Sequence, residues 1–175
     1  LGECLRTLKG HSGFVNSLII NNKNELISGS NDGTIKFWNM KTGICLRTLK
    51  GHTHNVNSLK INNENELISA SYDGTIRFWN METGECLRTS KGHAYYVNSL
   101  IINKNENELI SGSSDKTIRI WNMKTGECLR IFKECLYDMI TAEIIDNENN
   151  LIHGYENGKI KIWSMRTGEC LRTLK

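Results

Sequence analysis

Polar and apolar positions alternate along this chain in short runs. Between Thr34 and Trp38 the pattern sets Thr34, Lys36 and Trp38 against Ile35 and Phe37. In residues 1–9, LGECLRTLK, it sets Cys4, Arg6 and Leu8 against Leu5, Thr7 and Lys9. Period two places successive side chains on opposite faces of a strand. Two more apolar runs, Val15 to Ile20 and Leu26 to Ser30, flank the polar turn Asn21 to Asn24. Asn31-Asp32-Gly33 is a strong hairpin signal, and Asn39 to Gly43 closes the unit. Helical periodicity is absent. The pattern predicts four short strands in roughly 41 residues, joined by tight polar turns.

The unit recurs. Gly51 to Trp79 and Gly92 to Trp121 follow the skeleton of Gly10 to Trp38, and an altered version ends at Trp163. The tryptophans lie 41, 42 and 42 residues apart, a spacing that marks a repeat array. The opening phrase of residues 1–9 returns at 43–50, 84–91, 126–133 and 168–175. A four-stranded meander cannot bury both of its faces alone. Stacking such sheets around an axis hides the faces and leaves only short edges, which is the β-propeller arrangement. The fold class expected is therefore all-β, with four blades in one propeller unit. The repeats run over about 10–49, 51–90, 92–132 and 134–174, and residues 1–9 form an extra strand that can complete a blade.

Composition narrows the function. The chain of 175 residues is 38% hydrophobic, as thin strands with polar loops would be, and carries a net charge of +3. Its basic residues are scattered, which argues against an obligate nucleic-acid binder. Neither a membrane-spanning run nor a signal-peptide pattern is evident. Of six cysteines, Cys4, Cys45, Cys86, Cys128 and Cys170 are repeat-equivalent, and equivalent positions make poor disulfide partners. There is no C-x-x-C pair, so neither a zinc nor a redox site is indicated. The thiols are expected to fill small packing sites, in a reducing, cytoplasmic compartment.

Gly-His, then a Trp-Asn about 27 residues on, with Ser-Gly-Ser-x-Asp-Gly-Thr-Ile before the Trp, resembles the WD-repeat β-propeller family over the whole chain. Trp-Asn or Trp-Ser stands where that family usually has Trp-Asp. The resemblance implies a hydrogen-bonded tetrad in each good repeat: His11, Ser28, Asp32 and Trp38; His52, Ser69, Asp73 and Trp79; His93, Ser111, Asp115 and Trp121. Indole donates, hydroxyl and imidazole do both, and carboxylate accepts, so the chain of bonds is chemically complete. A hydrolytic Ser-His-Asp triad is disfavoured, because the set occurs three times beside a Trp and without a nucleophile-elbow context. In the fourth repeat Glu134-Cys135 replaces Gly-His, His153 replaces the serine and Asn157 the aspartate. This reads as a blade without its network, rather than as a Cys-His site.

The resemblance also implies a recognition rim, formed by the loops before the first strand and between the second and third. Phe14, Tyr72, Tyr95, Tyr96 and Tyr137 fall there among small polar residues, as at a protein or peptide hot spot. The Asn-rich turns on the opposite rim read as solvated. The expected function is a non-enzymatic protein- or peptide-binding scaffold with no cofactor and no metal. The alternative is a targeting arm of a larger enzyme or ubiquitin-ligase complex. A weaker reading binds nucleic acid or an anionic surface through Lys36, Arg77, Arg119 and Lys161, with Arg47, Arg88, Arg130 and Arg172. The family seldom closes a ring of four blades. Two assemblies are therefore open: a part of a larger propeller, or a homodimer closing an eight-blade ring.

Overall fold

The computed structural model describes residues 2–103, 107–133, 140–155 and 158–174. Among these there is no helix. Blade one comprises β1 (Val15–Ile20), β2 (Glu25–Ser30), β3 (Ile35–Asn39) and β4 (Cys45–Leu49). Blade two comprises β5 (Val56–Ile61), β6 (Glu66–Ser71), β7 (Thr75–Asn80) and β8 (Cys86–Lys91). Blade three comprises β9 (Val97–Asn103), β10 (Glu108–Ser113), β11 (Thr117–Asn122) and β12 (Cys128–Lys133). Blade four comprises β13 (Ile140–Ile145), β14 (Asn150–Tyr155), β15 (Ile160–Ser164) and β16 (Cys170–Leu174). Each is a four-stranded antiparallel meander paired in chain order.

Turn chemistry sets the register. The Asn39 carbonyl accepts the amide of Gly43 at 2.8 Å, so β3 returns as β4 with Trp38 opposite Cys45. Gly33 and Gly74 supply the left-handed residue of the tight turn between the second and third strands, at φ +76° and +78°. Glycine adopts that conformation without the Cβ clash that disfavours it elsewhere. In blade three the same place is held by Lys116 at φ +67°. On the innermost strands the register skips a residue between Val15 and Ser17 and between Val56 and Ser58. Asn16 and Asn57 are therefore bulged residues, re-aimed by the extra twist of the strand.

The core lies between blades. Ile27, Ile35, Phe37 and Leu49 of blade one pack against Val56, Leu59, Leu67, Trp79 and Met81 of blade two. The same joint recurs between blades two and three, and between three and four. The blades approach closely: a methyl added at Gly29 would meet Val56 Cγ1 at 2.7 Å. Dispersion and apolar burial across these joints are what a lone meander lacks.

Two expectations are corrected. Residues 2–9 belong to no strand. They do hold an outer strand's station, with Arg6 and Leu8 beside Gly43 as Leu49 is beside Gly84. The cysteines do not fill core sites. Cys4, Cys86, Cys128 and Cys170 are exposed and Cys45 is half-buried. They begin the outermost strand of a blade, or its counterpart in residues 2–9, where no further sheet covers them.

A left-handed conformation costs an ordinary L-residue about 1–2 kcal/mol, partly offset by the greater unfolded-chain freedom of glycine. Lys116→Gly is therefore expected to raise stability by about 1 kcal/mol. Urea unfolding reads this as a higher midpoint at unchanged slope; an unchanged or lower midpoint would mean that the turn carries no strain.

Candidate functional site

Four segments meet at each tetrad. In blade two, β7 brings Trp79, β6 brings Ser69, the loop before β5 brings His52 and the β6–β7 turn brings Asp73. Trp79 Nε1 donates to Ser69 Oγ at 2.8 Å. Ser69 Oγ lies 2.7 Å from His52 Nε2, and His52 Nδ1 lies 2.8 Å from Asp73 Oδ2. An ionised carboxylate only accepts, so Nδ1 carries the hydrogen and Nε2 of the neutral ring accepts from the serine. Trp38, Ser28, His11 and Asp32 stand in the same relation at 2.8, 2.7 and 2.8 Å. So do Trp121, Ser111, His93 and Asp115, again at 2.8, 2.7 and 2.8 Å.

A fifth member was missed in the sequence. The Thr75 hydroxyl donates to Asp73 Oδ1 at 2.6 Å and its backbone amide at 2.9 Å, while the Thr53 amide donates to Oδ2 at 3.1 Å. Thr34 and Thr117 do the same for Asp32 and Asp115. Burial pushes the Asp73 carboxyl up, but the bonds from His52 and Thr75 outweigh it and hold the group well below the usual carboxylate range. The signal was present as Asp-x-Thr in three repeats, against Asn157-Gly158-Lys159 in the fourth. In blade two every side-chain nitrogen and oxygen of the set is engaged within the blade.

Blade four departs from this pattern. Glu134, Cys135 and Asn157 lie outside the described residues. Among the described ones, Trp163 Nε1 is buried without a hydrogen-bond partner. His153 occupies the serine's place, fully buried, and Lys161 Nζ lies 5.7 Å from the Trp163 ring centroid. Burial, with a smaller effect from Lys161, pushes the His153 imidazole down to about 3.

On the rim, the loop before each first strand is bonded to the turn between the second and third. The amides of Asn31, Tyr72 and Ser114 donate to the carbonyls of Phe14, Asn55 and Tyr96 at 2.8, 2.9 and 2.9 Å. Tyr72 of blade two and Tyr96 of blade three stack with centroids 4.1 Å apart and planes 14° apart. Tyr95 is exposed beside them, and Phe14 stands 81% exposed on blade one. Tyr137 lies outside the described residues. Thr53 and His54, in the loop before β5, are exposed.

The opposite rim is not merely solvated. Asn21 and Asn103 are buried, and Asn21 Oδ1 accepts the amides of Lys23 and Glu25 at 3.0 and 2.9 Å. Asn21 Nδ2 donates to Glu25 Oε2 at 2.8 Å, and Arg47 donates to the same carboxylate at 2.8 Å. Glu66 with Arg88 and Glu108 with Arg130 repeat the pair, each 22 residues apart. Arg88 and Arg130 go on to the carbonyls of Met123 and Met165 in the next blade. The fixed Glu-to-Arg spacing was legible in the sequence. It passed unread because a charge in a turn is usually solvated.

The model of the WD domain, G-beta repeat (WD40) family matches residues 2–39, 43–80 and 84–122. A solved structure that resembles the chain is that of the WD40 beta propeller domain of Doa1, with a TM-score of 0.80 and 28% sequence identity. The likeness covers 96% of this chain and 55% of that one, so the chain spans about half the length of that neighbour. No curated protein matches the sequence.

Ser69→Ala leaves the Trp79 indole N–H and the His52 Nε2 buried without a partner. The expected loss is about 3 kcal/mol in urea unfolding, and a loss under about 1 kcal/mol would show that the tetrad does not hold the blade. The acid limb reports on blade four. With its folded pKa at about 3, His153 stays neutral in the fold, while the unfolded chain takes up a proton below about 6.5. Stability therefore falls as pH drops through this window, by about 2 kcal/mol at pH 5, whereas the tetrad aspartates contribute fully until below about pH 4. His153→Gln is expected to flatten the slope between pH 6.5 and 5. An unchanged slope would assign it to another group.

Proposed function

The chain belongs to the WD40 repeat family, and on that premise we propose that it is a non-enzymatic platform holding a protein or peptide partner on its aromatic rim. Propellers of this family generally serve as protein-interaction scaffolds and are typically non-catalytic. The observation that carries the finer reading is the Tyr72–Tyr96 stack. It bridges two blades and has Tyr95 exposed beside it. Aromatic anchors of this kind give large contact area at low entropic cost when they are already rigid. Phe14 extends the apolar surface onto blade one, and Tyr137 belongs to the same rim by its place in the repeat.

Nucleic acid is not the partner in this reading. Arg47, Arg88 and Arg130 are ion-paired to Glu25, Glu66 and Glu108. Lys36 Nζ donates to Thr48, and Arg77 and Arg119 lie over Trp79 and Trp121. Cations engaged in this way do not form the free basic stripe that phosphate binding requires. No helix among the described residues is long and apolar enough to cross a membrane. The five described cysteines are free thiols, which supports a reducing, cytoplasmic setting. Two assemblies fit this reading: a larger propeller of which the chain is a part, and a homodimer closing an eight-blade ring.

Peptides selected from a random display library on the wild-type chain serve as probes. Tyr72→Ala and Tyr96→Ala are each expected to weaken their binding at least tenfold, about 1.4 kcal/mol. Thr83→Ala on the opposite rim is expected to leave it unchanged. Equal binding by all three folded variants would remove the aromatic rim as the site.

A further inference from the structure

The two rims differ in charge. Among the described side chains of the four blades, every exposed carboxylate lies on the rim opposite the aromatics, Glu64, Glu82, Glu85 and Glu127 among them. Exposed Lys23, Lys41 and Lys124 stand on that rim too, so it is mixed, and Lys23 pairs with Glu82 at 2.8 Å. The aromatic rim is of one sign. Lys50, Lys91 and Lys133 are exposed there, each at the end of an outer strand, where the chain leaves for the next blade. The described carboxylates of this rim are Asp32, Asp73 and Asp115, and each is held by the histidine and threonine of its own blade. The ammonium groups of Lys50 and Lys91 meet no carboxylate among the described residues.

These two lysines bracket the Tyr72–Tyr96 stack. Lys50 opens the loop whose Asn55 carbonyl accepts the Tyr72 amide at 2.9 Å, and Lys91 stands five residues before Tyr96 in the next loop. Five residues of chain span at most about 17 Å, so one short extended peptide reaches both cations from the stack. The turn at Tyr72 also changes the neighbouring inner strand. Asn16 Nδ2 donates to Asn31 Oδ1 at 2.7 Å, and Asn98 Nδ2 donates to Ser114 Oγ at 3.1 Å. In blades one and three the bulged asparagine is thus tied to the turn. In blade two Tyr72 holds that place in the turn, and Asn57 accepts from Asn16 at 3.3 Å. The Asn57 Nδ2 hydrogens meet no acceptor among the described residues.

We propose that the partner held on this rim is an acidic peptide. It rests an apolar side chain on the Tyr72–Tyr96 stack, offers a carbonyl to Asn57, and sets Asp or Glu side chains against Lys50 and Lys91. This inference rests on the rim reading above and names the partner's chemistry. Exposed ion pairs contribute little affinity each, but they steer the encounter and select the sign of the partner. Apolar contact with the stack supplies the part of binding that salt does not screen. The lysines recur one to a blade and not as a continuous stripe, which matches spaced carboxylates better than an unbroken phosphate backbone.

The test uses the peptides selected on the wild-type chain. They are expected to carry Asp or Glu within about five residues of an aromatic or large aliphatic residue. Lys50→Glu and Lys91→Glu are each expected to weaken their binding about fivefold in dilute buffer, and the double variant to lose most of the wild type's salt dependence. Lys124→Glu makes the same charge change on the opposite rim and is expected to leave binding unchanged. All three side chains are exposed, and circular dichroism confirms that the variants fold. Selected peptides that are neutral or basic, or acidic peptides indifferent to both rim reversals, overturn this inference; their loss on Tyr72→Ala leaves the rim reading standing. Equal weakening by all three variants assigns the effect to net charge and also overturns it. Peptides indifferent to Tyr72→Ala and Tyr96→Ala overturn the rim reading and this inference together. A single-stranded DNA homopolymer that binds the wild type more tightly than any selected peptide, and is lost on Lys50→Glu, overturns the peptide as the occupant.

Discussion

The hydroxyl of Ser69 joins an indole on β7 to an imidazole in the loop before β5, and Asp73 in the next turn fixes that imidazole. Much else follows from this chain of bonds. It satisfies the one polar atom of Trp79, and so allows the whole indole to be buried. Trp79 is in turn a wall of the joint to blade one. It also ties the loop before β5 to the body of the sheet, and so sets the rim on which aromatic side chains are displayed. A network of this kind is favourable only when every member is engaged, which is why the loss of the serine in blade four leaves an indole N–H stranded.

The sequence made the architecture legible because its signals are local and repeated. Alternation, tight turn residues and the tryptophan spacing all point to the same four-stranded unit, and agreement across levels is what specifies a fold. The members of the tetrads could be picked out for the same reason. What escaped were interactions whose meaning depends on a neighbour. Thr75 looks like an ordinary strand residue until the Asp73 carboxylate is seen to need a second donor. Asn21 looks like a solvated turn residue until Glu25 and Arg47 close over it. The cysteines were read as packing residues because neither a disulfide nor a C-x-x-C site accounted for them. That reasoning does not say which strand of a blade lies outermost, and only the sheet order shows that it is this one.

Two kinds of surface remain outside the network. The rim displays stacked aromatics in a polar surround, suited to a protein or peptide. The array ends display unpaired halves of an apolar joint, suited to more of the same blade. The first concerns recognition and the second assembly, and they do not overlap: Tyr72 and Tyr96 sit at an internal joint, remote in the array from the exposed Leu18 and Ile160 of its ends.

The most direct test of the central claim, that the Asp–His–Ser–Trp chain locks each blade, is hydrogen exchange read strand by strand at neutral pH. Blades three and four share an apolar joint but differ in their networks, and ring closure would cover both faces of each. The account expects amides of β10 and β11 to exchange at least about tenfold more slowly than those of β14 and β15. Equal protection in the two blades, or slower exchange in blade four, would contradict it. The joints alone would then hold the fold.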